Sequence, residues 1–155
     1  MDVVLILWMA LCACQDARQK RISNLLTLGA SAAGLLYLLG FGQTLLGASP
    51  WQAAVAVAAA LALSLPGYLL NRLGAADVKL LLAVALLGTP HTLLWSVCGA
   101  ALAVLIWTAG AGTLWPHLPA TLQRWIPMLG PQHLKRAPYA PFLFIGFAVS
   151  VLTLT

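Results

Sequence analysis

Long apolar stretches alternate with short breaks that contain polar residues, glycine or proline. These stretches resemble helices that cross a lipid bilayer, because a hydrocarbon core about 30 Å thick needs about 20 residues of α-helix. The pattern predicts an all-α fold, a bundle of six transmembrane helices that forms one domain over residues 1–155. The predicted helices span residues 3–15, 25–41, 51–70, 78–87, 92–109 and 139–154, with a long connection at 110–138.

The composition excludes an ordinary soluble domain. Hydrophobic residues make up 62% of the chain and charged residues 7%, whereas soluble domains carry roughly a quarter charged residues. The formal net charge of +5 does not indicate a nucleic-acid partner, because the basic residues lie in short loops. The histidines and cysteines lack the spacing of a metal site, so neither a metal nor another cofactor is predicted.

The basic residues also predict the orientation in the membrane. The first apolar stretch lacks the basic start of a secretory signal, so we expect a retained helix that begins outside. The turns at 41–50 and 88–91 then face outward and contain no lysine or arginine. All basic residues fall on the cytoplasmic side: Arg18, Lys20, Arg21, Arg72, Lys79, Arg124, Lys135 and Arg136. We expect these loops to contact anionic lipid headgroups, and the proline-containing segment 110–138 to lie in the cytoplasm or at the interface.

Two of the three acidic residues fall on the same side of this topology. Asp16 follows predicted helix 1 and Asp77 precedes predicted helix 4, both at the cytoplasmic edge, whereas Asp2 lies at the opposite edge. An ionisable residue at membrane depth indicates a functional site. Because helices 1 and 4 are short, we expect both carboxyl groups to line a water-accessible cavity below the membrane surface.

Paired carboxyl groups can hydrolyse a peptide bond without a metal. Two neighbouring aspartates cannot both ionise easily, so they share a proton. One accepts a proton from water while the other donates a proton to the carbonyl oxygen of the scissile bond. Asp16 and Asp77 are therefore candidates for such a carboxyl pair.

Other interpretations of the acids remain open at this stage. Asp77 could act as an N-cap of helix 4, and Asp16 could pair with Arg18, Lys20 or Arg21. The chain could also be a small proton-coupled transporter or a membrane scaffold subunit. Transporters usually place such groups near the middle of the membrane, whereas these aspartates lie at helix ends, which favours the enzyme.

Three motifs resemble those of bacterial type IV prepilin peptidases, the G-x-G-D intramembrane aspartyl proteases. They are DARQKRISN at residues 16–24, GAADVKLL at 74–81 and APYAPFLF at 137–144. The resemblance implies that Asp16 and Asp77 are catalytic. Supporting motif residues are Arg18, Arg21, Asn24, Gly74, Ala76 and Lys79. Ser23 replaces the usual proline of the first motif, and Ala76 replaces the second glycine of G-x-G-D.

The resemblance also implies a substrate and a location. Larger family members carry a cysteine-rich cytoplasmic insertion and N-methylate the new amino terminus, but the loop at 16–24 is short and contains no cysteine. We therefore expect a peptidase without methyltransferase activity, similar to the short enzymes of Flp-type, tight-adherence pili. The implied substrate is a prepilin, whose short basic leader is removed at the cytoplasmic face of the bacterial inner membrane.

Overall fold

The computed structural model describes residues 2–71, 73–136 and 138–154, and over these residues the fold is all-α, as predicted. The described residues contain seven α-helices and three short 3-10 helices, and no strand. The α-helices are α1 (Asp2–Gln19), α2 (Asn24–Phe41), α3 (Pro50–Leu69), α4 (Ala75–Leu87), α5 (Pro90–Leu114), α6 (Ala120–Trp125) and α7 (Ala140–Leu154). The 3-10 helices are Trp115–His117, Pro127–Leu129 and Pro131–Arg136.

Three helix boundaries differ from the prediction by at least three residues, and the others agree within two. Helix α1 continues to Gln19, so Asp16 lies inside the helix and not after it. Helix α4 begins at Ala75, which places Asp77 in its first turn. Helix α5 continues to Leu114, because no proline interrupts it before Pro116, so the connection begins later than the predicted residue 110 and contains α6.

Helix length and composition identify a membrane protein with several spans. Helices α2 and α3, and the helical stretch Pro90–His117, are long and apolar enough to cross a bilayer. Helix α1 has 18 residues, as α2 does, but includes the charged residues Asp2, Asp16 and Arg18. With 13 residues in α4 and 15 in α7, these two helices are shorter than the roughly 20 residues of a full span.

Six of the α-helices pack as two groups. Helix α7 packs against α1 and α5, and α4 packs against α2 and α3. Helix α4 occupies the interior of its group, and six of its apolar residues are buried: Leu80, Leu81, Ala83, Val84, Ala85 and Leu87. The Trp8 indole N–H of α1 donates to the Leu26 carbonyl oxygen of α2 at 2.9 Å, which joins the two groups.

A glycine pair allows α5 and α7 to approach closely. A Cβ atom on Gly99 would lie 2.6 Å from the Cα of Gly146, and one on Gly146 would lie 2.5 Å from the carbonyl oxygen of Ser96. Real Cβ atoms do not approach backbone atoms so closely, so glycine is needed at both positions. Helices in lipid associate through such small residues because no aqueous hydrophobic effect drives them together.

We expect Gly99→Ala to weaken the packing of α5 on α7. Overpacking of a tight contact typically lowers the free energy of unfolding by about 1–3 kcal/mol. Gly112→Ala is the matched control, since Gly112 also lies in α5 and a Cβ there meets nothing within 4 Å. Unfolding of each purified variant in detergent micelles measures its free energy of unfolding. Equal stability of the two variants would contradict the close approach of α5 and α7.

Candidate active site

Asp16, near the C-terminal end of α1, is buried against the start of α7. Its exposed fraction is 4%, and its Oδ2 accepts a hydrogen bond from the backbone N–H of Ala140 at 2.9 Å. The chain turns after Gln19 because Lys20 adopts the left-handed conformation, with φ of 51°. The Lys20 backbone N–H donates to the Asp16 carbonyl oxygen at 2.8 Å and closes the last turn of α1.

Ser23 stabilises the turn that follows and caps α2. Its Oγ accepts from the Leu26 backbone N–H at 3.3 Å, and its own backbone N–H donates to the Gln15 Oε1 at 3.1 Å. A proline at this position would lack that N–H. The departure from the usual motif therefore leaves a turn that is held by the hydrogen bonds of the serine itself.

Asp77 lies at the third position of α4, and the N-cap is Gly74. The interpretation of Asp77 as the N-cap itself is thus wrong, although the residue does stabilise the helix start. Its Oδ2 accepts from the Gly74 backbone N–H at 3.0 Å. Ala76 lies within the helix, so its backbone does not need the freedom of glycine. The second departure from the motif is therefore compatible with this turn.

The two aspartates lie within electrostatic range of each other. The charge of Asp16 acts on Asp77, and the positive charge of Lys20 acts on both carboxyl groups. The expectation of an open cavity wall fails for Asp16, since this side chain is buried, whereas Asp77 is partly exposed. The site therefore combines one covered and one more accessible acid, with a cation beside them.

Lys79 and Asn24, two further motif residues, form a hydrogen bond between α4 and α2. The Nζ of Lys79, on α4, donates to the Oδ1 of Asn24, at the start of α2, at 3.0 Å. The contact links residues 55 positions apart in sequence. It connects the segment after Asp16 to the segment after Asp77, so the first two motifs meet at one place in the fold.

The two arginines of the first motif make no described contact with the two aspartates. The Arg18 guanidinium lies over the ring of Trp125, 4.6 Å from its centroid, in a cation–π contact with α6. Arg21 is exposed in the turn between α1 and α2. Arg18 thus anchors the connection between α5 and α7 to α1, and Lys20 is the neighbour whose charge acts on Asp16.

Sequence reasoning missed the role of Tyr139 and Ala140 at the site. Burial, together with the negative charges of Asp77 and Cys98, raises the pKa of Tyr139 to about 12. The neighbouring amide of Ala140 binds Asp16. The sequence did contain one indication, the motif at 137–144 with its two prolines. The motif indicates that this segment belongs to the site, but not which residues it contacts.

Over residues 2–71, 73–136 and 138–154, no cluster of three or more histidine, cysteine or acidic side chains is placed to bind a metal ion. Within the same ranges, the thiol of Cys12 is buried, and Cys14 and Cys98 are exposed.

The fold and the acid pair define an all-α membrane protein with an acidic site between two helix groups. The sequence profile of the type IV leader peptidase family matches residues 3–109, a range that includes both aspartates. The chain belongs to the type IV leader peptidase family, which confirms the predicted resemblance and identifies a peptidase. No curated protein and no solved structure matches the chain significantly.

We predict that Tyr139 titrates in the folded protein near pH 12, against an ordinary value of about 10. Between these values the unfolded chain ionises this phenol and the folded protein does not, so the stability contribution is lost as pH rises. The difference in tyrosinate absorbance between wild type and Tyr139→Phe, followed against pH, gives the titration of the Tyr139 phenol alone. Asp77→Asn should lower the titration midpoint of Tyr139, and a midpoint near 10 in the folded wild type would contradict the burial of Tyr139 beside Asp77.

Proposed function

We propose that the protein is an intramembrane aspartyl endopeptidase in which Asp16 and Asp77 act as one catalytic pair. The observation that supports this role most strongly is that two carboxyl groups from different helix groups lie within electrostatic range of each other. The third acid, Asp2, lies at the far end of α1. An aspartic mechanism accounts for the costly placement of two acids together in a chain that has only three.

In the proposed mechanism the pair holds one proton. As water attacks the scissile carbonyl carbon, the ionised carboxylate accepts a proton from the water, and the protonated carboxyl donates its proton to the carbonyl oxygen, which gives a gem-diol. When the diol collapses, the newly protonated carboxyl donates to the departing amine nitrogen as the C–N bond breaks, and the other carboxylate accepts a diol proton, so the pair again holds one proton. Each acid accepts a hydrogen bond from a backbone N–H, that of Ala140 for Asp16 and that of Gly74 for Asp77. The positive charge of Lys20 stabilises the single negative charge of the pair.

The proposed substrate is a type IV prepilin of the Flp kind, cut where its short basic leader meets its apolar helix. The acids lie near helix ends and beside basic residues, which the positive-inside rule places at the cytoplasmic face of the inner membrane. Such a position suits cleavage at the junction between the leader and the membrane helix. The proposal includes six membrane crossings, with α1 and the shorter helices α4 and α7 among them.

The segment between α1 and α2 supports a peptidase of the short type. These helices are separated by only residues 20–23, which contain no cysteine. The chain thus lacks, at this place, the insertion that the resemblance associates with methyltransferase activity. Membership in a peptidase family weighs against the transporter or scaffold alternative.

We expect Asp16→Asn and Asp77→Asn each to abolish processing of a co-expressed Flp-type prepilin. The cleavage rate should fall at least about a thousandfold, because each variant removes one residue of the catalytic pair. Asparagine keeps an oxygen that can accept the N–H of Ala140 or Gly74, but it cannot exchange the catalytic proton. Gel mobility of the prepilin measures the cut.

Asp2→Asn is the matched control, because it makes the same change in the same helix at the opposite end. This variant should process the prepilin as wild type does. Full processing by either Asp16→Asn or Asp77→Asn, with the variant inserted in the membrane, would contradict the catalytic assignment.

We also expect the mature pilin to leave the enzyme with an unmodified amino terminus. Mass spectrometry of pilin processed by the purified protein, with a methyl donor present, should show only the mass of the hydrolysed product. A product heavier by one methyl group would contradict the assignment to the short type.

A further inference from the structure

The start of α7 contacts the buried acid of the site directly. The backbone N–H of Ala140 donates to the Oδ2 of Asp16 at 2.9 Å, although the two residues are 124 positions apart. Both partners are removed from water, since Ala140 is 0% and Asp16 4% exposed. A buried carboxylate requires such a partner, because an unpaired charge away from water is strongly destabilising.

Several contacts hold this N–H in place. The close approach of Gly146 to Gly99 sets α7 against α5. Leu143 and Phe147, on the following turns of α7, are fully buried in the hydrophobic core. The N–H that faces Asp16 is therefore the end of a well-packed helix.

The local sequence prepares the backbone for this contact. Pro138 and Pro141 flank Tyr139 and Ala140, and each proline restricts φ at its own position and the conformation of the preceding residue. Ala140 is the first residue of α7, where a backbone N–H has no partner within its own helix. A carboxylate at that point satisfies the N–H and interacts favourably with the helix dipole.

The same segment also lies near the second acid. The phenol of Tyr139 is close enough to Asp77 for the charge of that carboxylate to act on it. Consecutive residues of one segment thus contact Asp16 and lie beside Asp77. This segment lies outside the residues that the family profile matches, 3–109.

We propose that the backbone N–H of Ala140 is a positioning group of the active site, which orients Asp16 and stabilises its negative charge during peptide hydrolysis. This inference rests on the proposed function, because it takes Asp16 as one member of the catalytic pair. It assigns the proline-punctuated motif of residues 137–144 a role in catalysis beyond helix packing.

The test removes this single N–H and leaves the side chains unchanged. Replacing Ala140 by lactic acid through nonsense suppression converts its amide into an ester. Ala140→Pro removes the same donor by a different route, since proline is tolerated at the first position of a helix. The matched control is an ester at Leu143, whose N–H donates to the Tyr139 carbonyl oxygen at 3.0 Å at the start of α7 and not to Asp16.

The assay uses the purified full chain in micelles and a synthetic peptide with a lysine-rich leader followed by an apolar helix. We expect the Ala140 ester to lower kcat by about ten- to a hundredfold, the range for a lost hydrogen bond to a charged group, with KM changed less than about twofold. The acidic limb of the pH profile should move to higher pH. The other titratable groups near the pair remain in place: Cys12, Lys20, Asp77, Cys98 and Tyr139.

Three outcomes separate the possibilities. A wild-type rate and pH profile for the folded Ala140 ester, with Asp16→Asn inactive, would overturn the positioning role and leave the proposed function intact. A loss of rate with an unchanged pH profile, or an equal loss in the Leu143 ester, would show a general packing effect and also overturn it. If Asp16→Asn itself processes the peptide, the proposed function fails first. Ala140→Pro is expected to reproduce the pH shift if the ester variant does not fold.

Discussion

A buried carboxyl group on a membrane helix is the constraint on which the other features of the site depend. Asp16 is almost completely removed from water, and such a charge is tolerated only where polar or charged partners surround it. The amide of Ala140 and the cation of Lys20 supply those partners. Helix α7 must therefore begin beside the end of α1. The close approach of Gly146 to Gly99 helps to hold α7 in that position.

The site lies where the two helix groups meet. Asp16 comes from the group of α1, α5 and α7, and Asp77 comes from the group of α2, α3 and α4. Side-chain hydrogen bonds join the groups near this place, from Trp8 to Leu26 and from Ser23 to Gln15. A relative shift of the groups would change the distance between the acids. The proposed chemistry thus depends on packing that is remote from the carboxyl groups.

Much of this arrangement could be predicted from sequence because charges are rare in an apolar chain. The six main helices follow from the apolar stretches, and Asp16 and Asp77 stand out both as isolated acids and as motif positions. The helix ends were harder to place. The mostly polar residues after Gln15 continue α1 because neither glycine nor proline interrupts them. The first turn of α4 includes Asp77 because an acid is favourable at the start of a helix.

The contacts that complete the site could not be predicted from sequence alone. The bond between Ala140 and Asp16 joins distant parts of the chain through a backbone N–H, which every residue except proline possesses. Lys20 resembled any other basic loop residue, and its left-handed backbone arises only where the chain reverses after α1. Hydrophobic patterning carries no information on either feature, because both depend on how separate helices are packed.

The central claim is that the two acids work as one unit, and a double-mutant cycle tests it most directly. The cleavage rates of wild type, Asp16→Asn, Asp77→Asn and the double variant would be measured on one prepilin peptide. Residues that act as a unit are strongly non-additive, so the account predicts that the double variant loses no more activity than either single variant. Losses that multiply in the double variant, or substantial activity in either single variant, would contradict a shared-proton pair.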